Sequence, residues 1–128
     1  MIDMTFWVEG PRILLHNEAT RLHHMNEHVR VQEWVELGFW TMADMGAPKN
    51  IGPCRVTSVA QYPVNKIGKL PDTAAWNPTV KALIDGFVKF GLWPDDTPDQ
   101  VVEISFYPPT RKEGLKSERI GISIESVQ

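Results

Sequence analysis

Two segments of the chain carry apolar residues at the spacing of an amphipathic helix. Between residues 31 and 42 the stripe consists of Val31, Trp34, Val35, Gly38, Phe39 and Met42. Between residues 80 and 88 it consists of Val80, Leu83, Ile84, Phe87 and Val88. Gly46, which Pro48 follows, ends the first predicted helix. The second is bounded by Asn77 as N-cap, Pro78 at the first helical position and Gly91 as C-terminal stop.

Four segments have the β-branched and aromatic content that is typical of strands, and each of the first three is stopped by glycine or proline. They are residues 2–8, 55–62, 101–107 and 120–124. Residues 63–76 are predicted to form a long loop, and residues 110–118 a polar, hairpin-like connection. The order β, α, β, α, β, β predicts an α+β fold, with two main helices on a mixed β-sheet.

Length and composition narrow the class of protein. With 128 residues, the chain is expected to form a single domain over residues 1–128. Its 42 % hydrophobic and 23 % charged residues exclude disordered, collagen-like and low-complexity classes. The single cysteine, Cys54, cannot form an internal disulfide, and the uncharged stretches near the start, such as residues 4–8, are far shorter than a signal-peptide core or a membrane span. We therefore expect a soluble protein of a reducing cytoplasm.

The net charge of −3 conceals a segregation of charge along the chain. Residues 1–44 hold three arginines and seven acids, which gives −4, and residues 45–81 hold five basic residues and Asp72, which gives +4. Residues 82–105 hold Lys89 and five acids, which gives −4, and residues 106–128 add +1. A basic block therefore adjoins an acidic one, a pattern that fits either ordinary surface mixing or a site that handles a charged substrate.

Several acids flank the second predicted helix. Asp72 precedes it, Lys81 and Asp85 lie one turn apart on its polar face, and Asp95 and Asp96 follow it. Carboxylates gathered from such places can hold Mg²⁺, which prefers oxygen ligands. The helix is about 20 Å long, and an extended chain from residue 91 to residue 96 covers about 17 Å, so the chain can just return towards the helix start. The alternative is structural, with a solvent-side pair at 81 and 85 and an acidic turn at 95–98.

A second pattern involves histidines. Residues 24–28 read HMNEH, which fits the H-x-x-E-H pattern of inverted zinc proteases, with His24 and His28 as ligands. Zinc would need a third protein ligand, and five-residue patterns recur by accident. The alternative is a polar or phosphate-facing segment, which includes Arg21 and Arg30.

One stretch of the sequence resembles a known family. Residues 77–87 read NPTVKALIDGF, and residues 91–96 read GLWPDD. This is similar to the core signature of RusA-type Holliday junction resolvases, in which an Asp-x-Asp-Asn segment leads into a helix bearing Lys, Ala and Asp, and then into a Gly-x-x-x-Asp-Asp turn. The specific agreement covers residues 72–96. Looser agreement covers most of the chain and includes Asn17 and the run of residues 21–23, RLH.

The resemblance implies a RusA-like fold and a homodimeric, Mg²⁺-dependent endonuclease that cuts branched DNA such as four-way junctions. Such proteins are frequently encoded by phages and act in the bacterial cytoplasm. The carried-over active-site residues are Asp72, Lys81 and Asp96, and the metal ligands Asp72, Asp95 and Asp96. The expected phosphate contacts are Arg21, Lys66, Lys69, Arg111, Lys112 and Lys116.

The sequence departs from the family pattern before the helix. The family pairs two aspartates one residue apart there, whereas Asp72 stands alone, four residues before Asn77. Either Asn77 has taken one ligand role or a carboxylate has been lost, and a loss would weaken metal binding. The leading hypothesis is a structure-selective endonuclease. The alternatives are a RusA-like protein that binds branched DNA or a host protein without cutting and, more distantly, a small zinc hydrolase.

Overall fold

Five strands and two helices make up the part of the chain that the structure describes. The computed structural model describes residues 3–15 and 24–127, with side chains from residue 28 onward in the first helix. In chain order the elements are β1 (Asp3–Glu9), α1 (His24–Met45), β2 (Cys54–Pro63), α2 (Asn77–Phe90), β3 (Val101–Phe106), β4 (Thr110–Lys112) and β5 (Arg119–Ser126). Neither described helix combines the length and hydropathy that a bilayer-crossing segment needs.

The strands form one mixed sheet in the order β1-β5-β2-β3, with β4 also paired to β2. β5 is antiparallel to both of its neighbours, whereas β3 and β4 run parallel to β2. Alternate residues of the two central strands are buried under the helices, namely Cys54, Val56, Ser58, Ala60, Tyr62, Ile120, Ile122 and Ile124. The predicted α+β class, with a mixed sheet and two helices in one small domain, is therefore confirmed.

The two helices approach each other closely where Gly38 of α1 meets Gly86 of α2. A Cβ atom built on Gly86 would lie 2.9 Å from Gly38 Cα and 2.8 Å from the backbone nitrogen of Phe39. The absence of side chains at this crossing lets the helices bury their apolar faces against each other and the sheet. The largest fully buried side chains include Trp34, Trp76, Trp93, Tyr62 and Phe87.

Helix α2 begins one residue earlier than the sequence predicts. The N-cap residue is Trp76 and not Asn77, and it makes no side-chain capping bond. Instead, its buried indole nitrogen donates a hydrogen bond to Ser58 Oγ at the middle of β2, 3.0 Å away. Thr79 adds a second attachment, because its hydroxyl donates to the carbonyl of Leu14 and accepts from the backbone N–H of Leu14, both at 2.8 Å. Tertiary contacts rather than a polar cap hold the start of α2.

The chain reverses direction directly after α2. Gly91 adopts the left-handed conformation with φ of 103°, as the predicted C-terminal stop requires, and its N–H bonds to the carbonyls of Phe87 and Val88. Leu92 and Trp93 are then fully buried, and the indole of Trp93 donates to the carbonyl of Gly52 over 2.9 Å. This burial draws the segment after α2 back along the helix.

Two further sequence predictions need correction. Helix α1 begins by residue 24, although its apolar stripe starts at residue 31. The connection over residues 110–118 is not hairpin-like, because its first three residues form β4, which is parallel to β2. β4 continues the sheet edge that β3 occupies, after the interruption by Pro108 and Pro109.

Candidate active site

The reversed segment brings Asp96 to the first half of α2. Lys81 Nζ lies 3.4 Å from Asp96 Oδ2, and both side chains are partly exposed. The chain therefore returns towards the start of α2, as the extended length of residues 91–96 allowed. An exposed ion pair of this kind contributes about 0–1 kcal/mol to stability. Stability alone is thus a weak reason for holding these two charges together.

Asp85, one helical turn after Lys81, completes a cluster of three charged side chains. Partial burial raises the pKa of the Asp85 carboxyl, the negative charge of Asp96 raises it further, and Lys81 lowers it. Lys81 forms its ion pair with Asp96 in this structure. The structural alternative, in which Lys81 simply pairs with Asp85 on the solvent side, is therefore incomplete. We call Lys81, Asp85 and Asp96 the charged cluster. The sequence places Asp85 among the acids that could gather around Mg²⁺, but the resemblance does not carry it over as a site residue; its spacing of four residues from Lys81 is the signal that points to it.

Asp95 has a different environment from its neighbour Asp96. Asp95 Oδ1 accepts hydrogen bonds from the hydroxyl of Thr97 at 2.7 Å and from its backbone N–H at 3.1 Å. These two bonds lower the pKa of the Asp95 carboxyl, because they stabilise its charged form. Asp95 is therefore engaged in forming the acidic turn, which favours the structural alternative for this residue.

Asp72 lies in the turn that leads into α2. Its carbonyl accepts a hydrogen bond from the backbone N–H of Ala75 at 3.0 Å, and its exposed side chain lines a cleft of about 480 Å³ with Leu15 and residues 70–75. Across the described ranges, 3–15 and 28–127 for side chains, no three His, Cys, Asp or Glu side chains group closely enough to hold a metal ion. Asp72, Asp95 and Asp96 thus do not form a ready three-carboxylate site in this structure.

A second, basic cleft adjoins the Asp72 cleft. It has a volume of about 110 Å³, and the two clefts share Leu15 and Pro71 in their walls. The wall of the second cleft holds three basic residues, Lys66, Lys69 and Arg12, and one acid, Glu118, whose carboxylate accepts a hydrogen bond from the backbone N–H of Ile13. The sequence predicted the two lysines as phosphate contacts but missed Arg12, which is distant from them in the chain and shows no local pattern. A basic surface therefore leads to the turn that carries Asp72.

Arg111 holds the segment that carries these lysines. We call residues 64–70 the basic loop. The Arg111 guanidinium donates hydrogen bonds to the carbonyls of Lys66 and Gly68, each at 2.7 Å, and lies 3.4 Å from the carbonyl of Val64. Arg111 was predicted to contact phosphates, but most of its donors point at the loop backbone. Its position in β4 makes it a support for the loop.

The remaining predicted residues divide between described and undescribed parts of the chain. Lys112 lies in β4 and is exposed, as is Lys116 in the following turn. Arg21 lies outside the described residues. Of the two histidines in the zinc pattern, His28 is exposed in α1, and the side chain of His24 is outside the described part.

Removal of the Asp85 charge is expected to change how stability depends on pH. Because the pKa is raised on folding, the folded protein binds this proton more tightly than the unfolded chain does. The contribution of Asp85 to the free energy of unfolding is thus largest below the ordinary aspartate pKa and falls as the pH rises through the folded-state pKa. Asp85→Asn should therefore be the more stable protein at pH 7, with its advantage shrinking in acid. Urea unfolding between pH 3.5 and 7 checks this, and a constant difference would contradict it.

Loss of Arg111 is expected to loosen the basic loop without unfolding the sheet. In Arg111→Ala the carbonyls of Lys66 and Gly68 lose their charged donor, so the loop should open more often. Hydrogen exchange of the Lys66 amide, which donates to the carbonyl of Pro63, should become at least about tenfold faster, while exchange in β2 and β5 stays unchanged. Lys112→Ala, the next residue in β4, is the matched control. Equal exchange in both variants would show that Arg111 does not support the loop.

Comparisons with known proteins leave the family of this chain open. No family model matches the chain. No curated protein matches it either.

Proposed function

We propose that the protein is a Mg²⁺-dependent endodeoxyribonuclease that cuts four-way junctions or other branched DNA and acts as a homodimer. The observation that carries this proposal is the chain reversal after α2, which brings Asp96 to Lys81 beside Asp85. These are the residue types that phosphodiester hydrolysis needs, and they lie at the element on which the resemblance to RusA-type resolvases rests.

The charges of the cluster are suited to a divalent cation. Two carboxylates and one lysine carry a formal charge of −1 when all three are ionised, and the lysine lies against Asp96. Mg²⁺ is commonly held by one or two carboxylates, with waters and substrate phosphates completing its shell. Asp85 and Asp96 would hold the ion here. When bound, it polarises a phosphodiester and lowers the pKa of an attacking water.

The protein's own side chains would bind and orient the substrate. Lys81 carries a compact positive charge on a flexible stem and is partly exposed, so it can leave Asp96 to meet a phosphate oxygen. There it would stabilise the negative charge that develops as the phosphodiester bond breaks. Arg12, Lys66 and Lys69 in the basic cleft would bind backbone phosphates on either side of the scissile bond.

The proposal is tested by incubating the purified protein with an end-labelled four-way junction in Mg²⁺. We expect nicks near the branch point, no nicks in a linear duplex of the same arm sequence, and no product in EDTA. Light scattering on the same sample should give the mass of a dimer. Failure to cut the junction with Mg²⁺ or Mn²⁺, in protein that is folded by circular dichroism, would overturn the nuclease proposal.

A second candidate function is the binding of branched DNA without cleavage. It is favoured by one observation, that the described side chains bring no three potential ligands together around a metal position. Metal binding would then be too weak for catalysis while the basic cleft still bound phosphates. Junction binding that persists in gel-shift assays without any cleavage would support this candidate over the first.

A further inference from the structure

The basic loop presents an isoleucine to solvent between two lysines. Ile67 is 93 % exposed, the largest value among the exposed large hydrophobic side chains of the described residues. Lys66 precedes it directly, and Lys69 follows two residues later. Single exposed apolar residues are common on protein surfaces, so exposure alone carries no functional conclusion.

The backbone on both sides of Ile67 is fixed, which is unusual for an exposed loop tip. Arg111 donates hydrogen bonds to the carbonyl before Ile67 and to the carbonyl after it, those of Lys66 and Gly68. Lys66 Nζ lies 5.3 Å from the centre of the Tyr62 ring, which ties the base of the loop to β2. The structure therefore holds the backbone that carries this apolar side chain at a defined position, and so lowers the entropic cost of presenting it to a partner.

An exposed apolar side chain on a held backbone, flanked by cations, matches the chemistry of a nucleic-acid wedge. Such wedges, often isoleucine, leucine or phenylalanine, enter between base pairs while nearby basic residues bind the phosphates. We propose that Ile67 inserts between bases at the branch point of the substrate, separates those that are still stacked, and thereby selects branched over linear DNA. This inference rests on the proposed function, and it assigns the selectivity of that site to one side chain.

Branch points are where such an insertion costs least. In an uninterrupted duplex the wedge must separate stacked pairs, whereas at a junction the stacking is already interrupted. The same side chain therefore stabilises binding to a junction more than binding to a duplex. Attachment to a lipid surface is less consistent with the structure, because it requires a wide apolar face and several cations. Here the exposed large apolar side chains of the basic loop are Ile67 and, at 50 %, Val64, and only Ile67 lies between the two lysines.

The experiment measures unstacking and binding separately from cleavage. A four-way junction that carries 2-aminopurine at the branch point is titrated with the protein in EDTA, and its fluorescence rises when the base unstacks. We expect wild-type protein to raise the fluorescence and Ile67→Ser to abolish the rise. The serine variant should also bind the junction about tenfold more weakly while binding a linear duplex as the wild type does. Ile67→Leu should retain both properties.

Val29→Ser is the matched control, because Val29 is an exposed β-branched residue on α1, outside the basic loop. Unchanged fluorescence and junction affinity in Ile67→Ser would overturn the wedge, even if the wild type cuts the junction in Mg²⁺. Loss of the fluorescence rise in Ile67→Ser would support the wedge. It would do so even if neither the wild type nor the variants cut the junction, and then only the nuclease proposal would fail. Binding of phosphatidylglycerol vesicles that depends on Ile67, without any junction binding, would also overturn it.

Discussion

Replacement of Lys81 by alanine is expected to lower the rate of junction cleavage by about 100- to 1,000-fold, because the developing charge on the phosphate loses a preorganised cation. Junction binding should change little, since the proposed phosphate contacts lie in the basic cleft and not at Lys81. The free energy of unfolding should fall by no more than about 1 kcal/mol, because the ion pair with Asp96 is exposed. Single-turnover cleavage and urea unfolding of the same preparations measure both quantities.

Two other variants separate this chemistry from a general effect of charge. Lys89→Ala removes an exposed lysine from the last turn of the same helix and should cut the junction at the wild-type rate. Asp96→Asn should lose activity to about the same extent as Lys81→Ala, whereas Asp95→Asn should lose much less, because Asp95 is engaged with Thr97. Equal rates for Lys81→Ala and wild type would show that the charged cluster is not the active site.

The substitution Gly86→Ala is expected to cost the most stability of any single change considered. In an ordinary helix, alanine would be preferred to glycine by about 0.5–1 kcal/mol. Here the added Cβ would meet backbone atoms of α1, at 2.8 Å from the nitrogen of Phe39 and closer still to the carbonyl oxygen of Val35. Backbone cannot move aside as a side chain can, so the helices must separate. We expect a loss of about 3 kcal/mol or more.

Gly46→Ala provides the comparison for this second prediction. Gly46 has a positive φ of 62°, and a Cβ there would meet nothing within 4 Å. Its substitution should cost about 1 kcal/mol, from backbone conformation alone. Thermal or urea unfolding of both variants measures the difference, and a Gly86→Ala protein as stable as Gly46→Ala would show that the helices can separate without loss.

The helices and long strands could be predicted because their signals are local. The stripe of Val80, Leu83, Ile84 and Phe87 has the helical period, and all four residues are buried in α2. The start of this helix could not be read in the same way. It depends on Trp76, whose indole bonds to Ser58 in a strand that is distant in sequence. β4 was missed because three exposed residues carry no alternation, and its parallel pairing with β2 is a tertiary contact.

The candidate site was partly predictable for a similar reason. The spacing of Lys81 and Asp85 and the reach of the chain to Asp96 are properties of one continuous segment, and the structure brings these three residues together. The support that Arg111 gives to the basic loop could not be predicted. Its acceptors are backbone carbonyls, which every residue has, so no side-chain pattern marks them. The roles of these residues in cleavage stay predictions.

The pairing of β1 with β5 has a consequence for how the chain folds as it is made. Glu9 pairs with Arg119 and Asp3 with Glu125, so the first strand must wait for one synthesised more than a hundred residues later. β5 also lies between β1 and β2, so until it arrives β1 has no neighbour in the sheet. Contacts of such long sequence separation fold slowly and leave strand edges exposed meanwhile. During synthesis, β1 is therefore expected to enter the sheet only after β5 has left the ribosome.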